Sequence, residues 1–289
     1  MSTDETSAHL AVGGKLPTVF VIGAPRAGST SLHHYLGSHP GLSFPSRKEL
    51  RYFAYLGATP RHSGPGAAQY VRDTVTDLGT YLDAFPPVDD RRRGESCPLY
   101  LRSDTARASI ADIREARAIA ILREPCARAL SDFRQMRSLG REPQRSFERV
   151  LADEADRIAA GWTPFFAYAR KSDYLHDVTQ WKHAMGERLL VLEFDQLRRA
   201  PAKLMAEVLD FLELPSFEID IDMHMRHNAS GEPADRGWRR FIGSRKGRAV
   251  DERAGWESLR KRFSESIDEL ERVSGLDLEH WRDPKMTDE

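Results

Sequence analysis

The chain has few cysteines. Cys97 and Cys126 are the only two in 289 residues, too few for a disulfide framework or a cysteine-built zinc site. It also lacks an excess of either charge: 43 Lys and Arg stand against 44 Asp and Glu, so no overall field draws it to nucleic acid or an anionic membrane. No stretch approaches the roughly 20 apolar residues of a membrane span. The opening MSTDETSAHLAVGGKLP has neither the basic start nor the apolar centre of an export signal. These absences lead us to expect a cytoplasmic protein with no nucleic-acid partner and no stable membrane insertion. The preference for arginine over lysine, with abundant alanine, points to a GC-rich bacterial genome.

Residues 1–16 are small and polar with a Gly13-Gly14 pair, which predicts a flexible leader before a single domain over 17–289. Within that domain, the pattern of a buried strand, a turn and a helix occurs three times. Val19 to Gly23 is a short apolar run, and SLHHYLGSHP after it reads as a helix stopped before Pro40. AIAILR at 118–123 precedes a helix in which Pro125 suits the first turn, and LLVLEF at 189–194 precedes a helix opened by Pro201. Three such units in series predict an α/β fold: a P-loop-like parallel sheet flanked by helices on both faces. Further helices are expected over 146–160, over 172–186 with Ser172 as cap, and from Gly255 to Gly275. The stretch 223–250 loses periodicity and reads as a binding loop or lid.

The loop after the first strand, PRAGST, is the centre of the chemistry. Gly23 and Gly28 keep the spacing of a Walker A loop, but Ser29 stands where that loop has lysine. A glycine-bearing turn into a helix presents backbone amides to an anion, to which Ser29, Thr30 and Ser31 add hydroxyls and Arg26 adds charge. LREPCARALSDF, after the second strand, gathers Arg123, Arg128 and Ser131 near another strand end, a second phosphate-like site.

In these segments the chain resembles the sulfotransferases that use 3'-phosphoadenosine 5'-phosphosulfate (PAPS), in the branch with the heparan sulfate enzymes and many bacterial homologues. Pro25, Arg26, Ala27, Gly28, Ser29, Thr30, Ser31 and Leu32 follow the family's P-K-x-G-T-T-x-L loop, which implies the 5'-phosphosulfate site. Arg123, Pro125, Arg128, Ser131 and Phe133 fill its R-[DE]-P-x-x-R-x-x-S-x-[YF] segment, which implies the 3'-phosphate site. SRKELRYF resembles K-E-x-x-[FY]-F and implies Glu49 as general base. GESCPLYL resembles G-E-K-[ST]-P-x-Y through Glu95, Pro98 and Tyr100, and SRKGR resembles a loop around the 3'-phosphoadenosine through Lys246, Gly247 and Arg248. Arg26 and Ser96 stand where the family has lysines.

The resemblance implies metal-independent, in-line sulfuryl transfer from PAPS, leaving PAP, to a hydroxyl or amine of a small-molecule, lipid or glycan acceptor. Glu49 and Arg26 would be catalytic, with Arg26 stabilising leaving-group charge because arginine hardly releases a proton. His33, Glu95 and Tyr100 would line the acceptor pocket, with Glu95 as second candidate base. Tyr52, Phe53, Tyr55, Trp162, Phe165, Phe166 and Tyr168 are core residues or acceptor-facing ones. His224 and His227 have metal-like spacing without a companion acid, so no metal site is expected. Two other readings stay open: an ATP- or GTP-dependent phosphotransferase using Glu193 or Asp195 for Mg²⁺, and a PAP-binding module without turnover.

Overall fold

The computed structural model describes residues 16–87, 90–217 and 245–286, with side chains in the last segment from Glu252 onward. Five strands, β1 (Val19–Gly23), β2 (Leu42–Ser43), β3 (Arg92–Ser96), β4 (Arg117–Leu122) and β5 (Leu189–Glu193), form one sheet in the order β2-β3-β1-β4-β5. Every neighbouring pair is parallel. Parallel neighbours require crossover connections, and both faces of such a sheet must be covered. Val19, Phe20, Val21 and Ile22 accordingly have no exposed surface. The chain therefore has the expected α/β fold, a parallel sheet with flanking helices.

β1 connects toward β2 at one edge of the sheet, and β4 connects toward β5 at the other. Connections that diverge from adjacent strands open a crevice at their carboxyl ends, which is where open α/β sheets bind ligands. The PRAGST loop leaves β1 at that point.

Contacts gather the residues into two compact units interleaved along the chain: one drawn from Met1–Pro60, Asp73–Leu122 and Gln180–Asn228, the other from Arg61–Arg72, Arg123–Thr179 and Ala229–Glu289. The first holds the sheet, with α1 (Ser29–Ser38) after β1. In the second, α2 (Pro125–Ser138) packs Leu130, Phe133 and Met136 against Phe147, Val150, Phe166, Trp256 and Phe263.

The structure redraws three helices. The one expected over 146–160 is two, α3 (Phe147–Ala152) and α4 (Glu154–Ala159), and Glu154 turns inward to accept the amides of Ala169 and Arg170. α5 starts at Leu175 and ends at Met185; Ser172 does not cap it, because its hydroxyl accepts from Arg128 Nε at 2.6 Å. After α6 (Pro201–Phe211), the last expected helix is α7 (Arg245–Phe263) and α8 (Ile267–Ser274). The break falls where the Ser264 and Ser266 hydroxyls bond back to the carbonyls of Lys261 and Phe263, a local competitor of helical hydrogen bonding. Gly275, at φ 77°, ends α8 as anticipated. The leader, His224, His227 and most of the 223–250 stretch lie outside the described residues.

Candidate active site

Two glycines shape the loop. A Cβ on Gly23 would meet the Leu101 Cβ at 2.7 Å. Gly28 sits at φ 94°, and a Cβ there would meet Leu197 at 2.7 Å and Phe194 at 3.0 Å. Both backbone conformation and space therefore demand glycine at 28. Gly28 is also the N-cap of α1, and no side chain caps that helix. The first amides of α1 are left to whatever occupies the crevice, and the helix dipole favours an anion there. Arg26 (φ 65°) and Thr30 are exposed at the rim, whereas Ala27, Ser29 and Ser31 are buried. Ser29 and Ser31 thus contribute mainly through their backbone N–H groups.

Lys48 and Glu49 lie on a turn held against this loop. Glu49 and Arg51 both have left-handed backbones, at φ 60° and 63°, on either side of the buried Leu50. The Glu49 amide donates to the Ser96 carbonyl at 3.0 Å, and the Val75 amide donates to the Leu50 carbonyl at 3.0 Å. Strained backbone of this kind persists only where its surroundings over-determine it. The Glu49 side chain is 40% exposed, 3.8 Å from the guanidinium of Arg51. Arg47 turns away to the Asp73 carbonyl. Lys48 donates from Nζ to Thr30 Oγ1 at 2.9 Å. Burial lowers the Lys48 pKa against the opposing pull of Glu49 and Cys97.

His33, on α1, is buried with Nδ1 3.1 Å from Ser96 Oγ. Burial, followed by the charges of Lys48 and His34, brings its pKa down to about 3, so the ring is neutral near pH 7. His33 fills space between α1 and β3 and leaves little surface for an acceptor.

Glu95 and Tyr100 do not line a pocket; neither has any exposed surface. The Glu95 carboxylate accepts from Tyr81 Oη at 2.6 Å and Tyr100 Oη at 2.9 Å, and Tyr100 Oη in turn accepts the Phe53 amide at 3.2 Å. Burial pushes the Glu95 pKa up to about 7 even though both tyrosines favour the carboxylate. A carboxylate enclosed by its own core cannot reach an acceptor hydroxyl, so Glu95 is no longer a candidate base. Tyr52 and Phe53 belong to the same aromatic core, and Phe166 and Tyr168 are likewise buried.

The second turn differs from the first. Pro125 is the first residue of α2 as expected, but Glu124 caps the helix, accepting the Cys126 and Ala127 amides at 2.8 and 2.6 Å. A helix start already holding its own carboxylate does not offer those amides to phosphate. Arg128 is fully buried: Nε donates to Ser172 Oγ at 2.6 Å, one terminal nitrogen pairs with Asp132 at 2.9 Å, and the other donates to the Tyr168 carbonyl at 2.6 Å. It is therefore a structural residue and not an anion donor. Phe133 is core. Arg123 and Ser131 of this segment are partly exposed, and their side chains can meet a ligand.

A family model described as a sulfotransferase domain matches residues 16–232, well over half of the chain. The chain belongs to the sulfotransferase family. Its relatives include the membrane-associated sulfotransferase kil1 of Dictyostelium discoideum, 27% identical over 54% of this chain and 32% of that protein. Human heparan sulfate glucosamine 3-O-sulfotransferase 3B1 is 25% identical over 74% of this chain and 50% of that one. The chain thus spans only a third to a half of the length of those relatives. The crystal structure of a sulfotransferase from Alicyclobacillus acidocaldarius matches 93% of this chain and 99% of its own, at 27% identity and a TM-score of 0.77.

The structure brings Lys48, next to Glu49 in the chain, onto Thr30 at the start of α1, the helix that follows Arg26 and Gly28. Lys246, Gly247 and Arg248 belong to the first turns of α7, so their backbone is helical where the resemblance implies a loop. Helix-forming Lys246 and Arg248 flank Gly247, whose cost in a helix is only about 1 kcal/mol. In the sequence Lys48 is the residue before Glu49 in the SRKELRYF match. Its one legible signal was adjacency to the proposed base, because contact with Thr30 joins residues 18 apart.

Proposed function

We propose that this protein transfers a sulfuryl group from PAPS to a hydroxyl or amine of a small-molecule, lipid or glycan acceptor. The observation that carries this reading is the α1 N-terminus, uncapped by any side chain, whose Thr30 is bonded by Lys48, the residue before the accessible, backbone-anchored Glu49. The motif resemblance supports PAPS as donor. The β1 loop, with Arg26, Thr30 and the amides of Gly28, Ser29 and Ser31, takes the 5'-phosphosulfate. Arg123 and Ser131 take the 3'-phosphate, and Lys246, Gly247 and Arg248 take the nucleoside end. Residues 17–289 act as one sulfotransferase domain.

In the reaction, Glu49 accepts the acceptor's proton as the acceptor oxygen or nitrogen bonds to sulfur. The bond from sulfur to the 5'-phosphate oxygen breaks, leaving its electron pair on PAP. Arg26 and the α1 amides stabilise the charge that develops there, as preorganised donors do in phosphoryl transfer. The scheme uses no metal ion. A cytoplasmic setting agrees with two buried, unpaired cysteines.

The reading is tested by incubating the protein with PAPS and a pool of phenols, amines and sugars in EDTA, followed by mass spectrometry. PAP and a sulfated acceptor should appear in equal amounts. PAPS recovered intact with every acceptor class would overturn the assignment.

A further inference from the structure

The loop cation raises a difficulty. A guanidinium stabilises charge but does not release a proton near neutrality, and Arg26 is the only basic side chain within PRAGST. Ser96, on β3, is engaged by His33 and carries no charge. One ammonium nevertheless reaches the loop, that of Lys48 on Thr30 Oγ1. Thr30 is the second residue of α1, so its hydroxyl stands beside the uncapped amides. Lys48 Nζ is therefore one hydroxyl away from where an anion on those amides would lie.

Its position is fixed by the two residues that follow it. The next residue, Glu49, is anchored by its amide to the Ser96 carbonyl, and Leu50 is buried beyond it. The same short turn thus carries a carboxylate and, one residue earlier, an ammonium.

We infer that Lys48, and not a loop lysine, is the ammonium that contacts the 5'-phosphate oxygen of the donor from which sulfur departs. This inference rests on the PAPS reading above. As that S–O bond breaks, its electron pair stays on the 5'-phosphate oxygen. The acceptor's proton goes to Glu49, and the Lys48 ammonium donates a hydrogen bond to the departing oxygen while Arg26 holds the outer oxygens. The lowered pKa of Lys48 agrees with a poorly solvated ammonium that gains by meeting an anion. The charged and titratable groups that act on it include Glu49, Cys97 and His33. His33 is neutral, and Glu49 is held near Arg51.

The test compares two nucleotides on the full chain by calorimetric titration: PAP, and adenosine 3'-monophosphate, which lacks the 5'-phosphate. Lys48→Met should weaken PAP by about tenfold or more and leave adenosine 3'-monophosphate within twofold, because only the 5'-phosphate meets the ammonium. Lys48→Arg should restore most of the PAP affinity. In the PAPS assay, Lys48→Met should lower kcat more than it raises KM, the mark of an interaction strongest in the transition state. The inference is overturned if Lys48→Met leaves PAP affinity within twofold, or if both nucleotides weaken equally, which would mean general damage to the fold. Wild-type protein that binds neither nucleotide would instead overturn the PAPS reading, and the inference with it.

Discussion

Arg128→Met should cost about 3–5 kcal/mol of stability and lower Tm by on the order of 10 °C, read by denaturant titration and calorimetry. Arg128 is fully buried and satisfies three partners: the Ser172 hydroxyl, the Asp132 carboxylate and the Tyr168 carbonyl. Burial alone would raise the Asp132 pKa, but Lys171 at 2.6 Å and Arg128 at 2.9 Å outweigh it and hold the carboxyl below its ordinary value. Removing Arg128 leaves Asp132 buried with one cation and leaves a carbonyl and a hydroxyl without their donor. Breaking a buried pair in this way is far more damaging than losing a surface pair. Folded Arg128→Met protein should still bind PAP within about twofold of wild type. A loss of PAP affinity beyond tenfold with Tm unchanged would return Arg128 to the phosphate-binding role that the motif implies.

Glu49→Gln should lower turnover of PAPS by about 10²–10⁴-fold, the usual contribution of a positioned general base, while sparing PAP affinity. Glutamine keeps the size and hydrogen-bonding reach of glutamate but cannot accept the proton. Among the carboxylates near the loop, Glu49 combines exposure with anchorage: 40% of its side-chain surface is accessible, and its amide is fixed to β3. Glu95, the rival in sequence, is enclosed by Tyr81 and Tyr100. Turnover within threefold of wild type in Glu49→Gln, by the mass-spectrometric assay, would remove Glu49 from the mechanism.

Much of the architecture was legible because buried parallel strands read as continuous apolar runs. β1, β4 and β5 lie within a residue of where their sequences place them, and Pro125 and Pro201 open their helices as expected. β3 escaped notice because RRGES is polar, although its last three residues are buried: Gly94 lies under Phe44, Glu95 under two tyrosines, and Ser96 against His33. The Arg92 guanidinium instead reaches the Leu212 carbonyl just past α6. Tertiary partners of that kind leave no periodic trace.

Motif matches were a mixed guide to the site, because motif residues are kept for folding as well as for binding. In R-E-P-x-x-R-x-x-S-x-F, Arg128 and Phe133 build the core of their unit, and Glu124 caps the start of the helix. In G-E-x-x-P-x-Y, Glu95 and Tyr100 tie β3 to the Tyr52–Tyr55 turn. Among the described residues of these motifs, the β1 loop keeps both its glycine geometry and a helix start that no side chain caps. Lys48 was hidden for the opposite reason: a charged run usually means a solvated surface, and only the folded chain shows its contact with Thr30.

The central claim is that the β1 loop holds a 3'-phosphorylated adenine nucleotide rather than a magnesium nucleotide. The most direct measurement is thermal stabilisation by PAP and by Mg-ATP at equal concentrations, since a ligand that binds only the folded state raises Tm by mass action. PAP at about 100 times its Kd should add roughly 2.7 kcal/mol of apparent stability, with Mg-ATP giving little. Stabilisation by Mg-ATP alone would contradict the account.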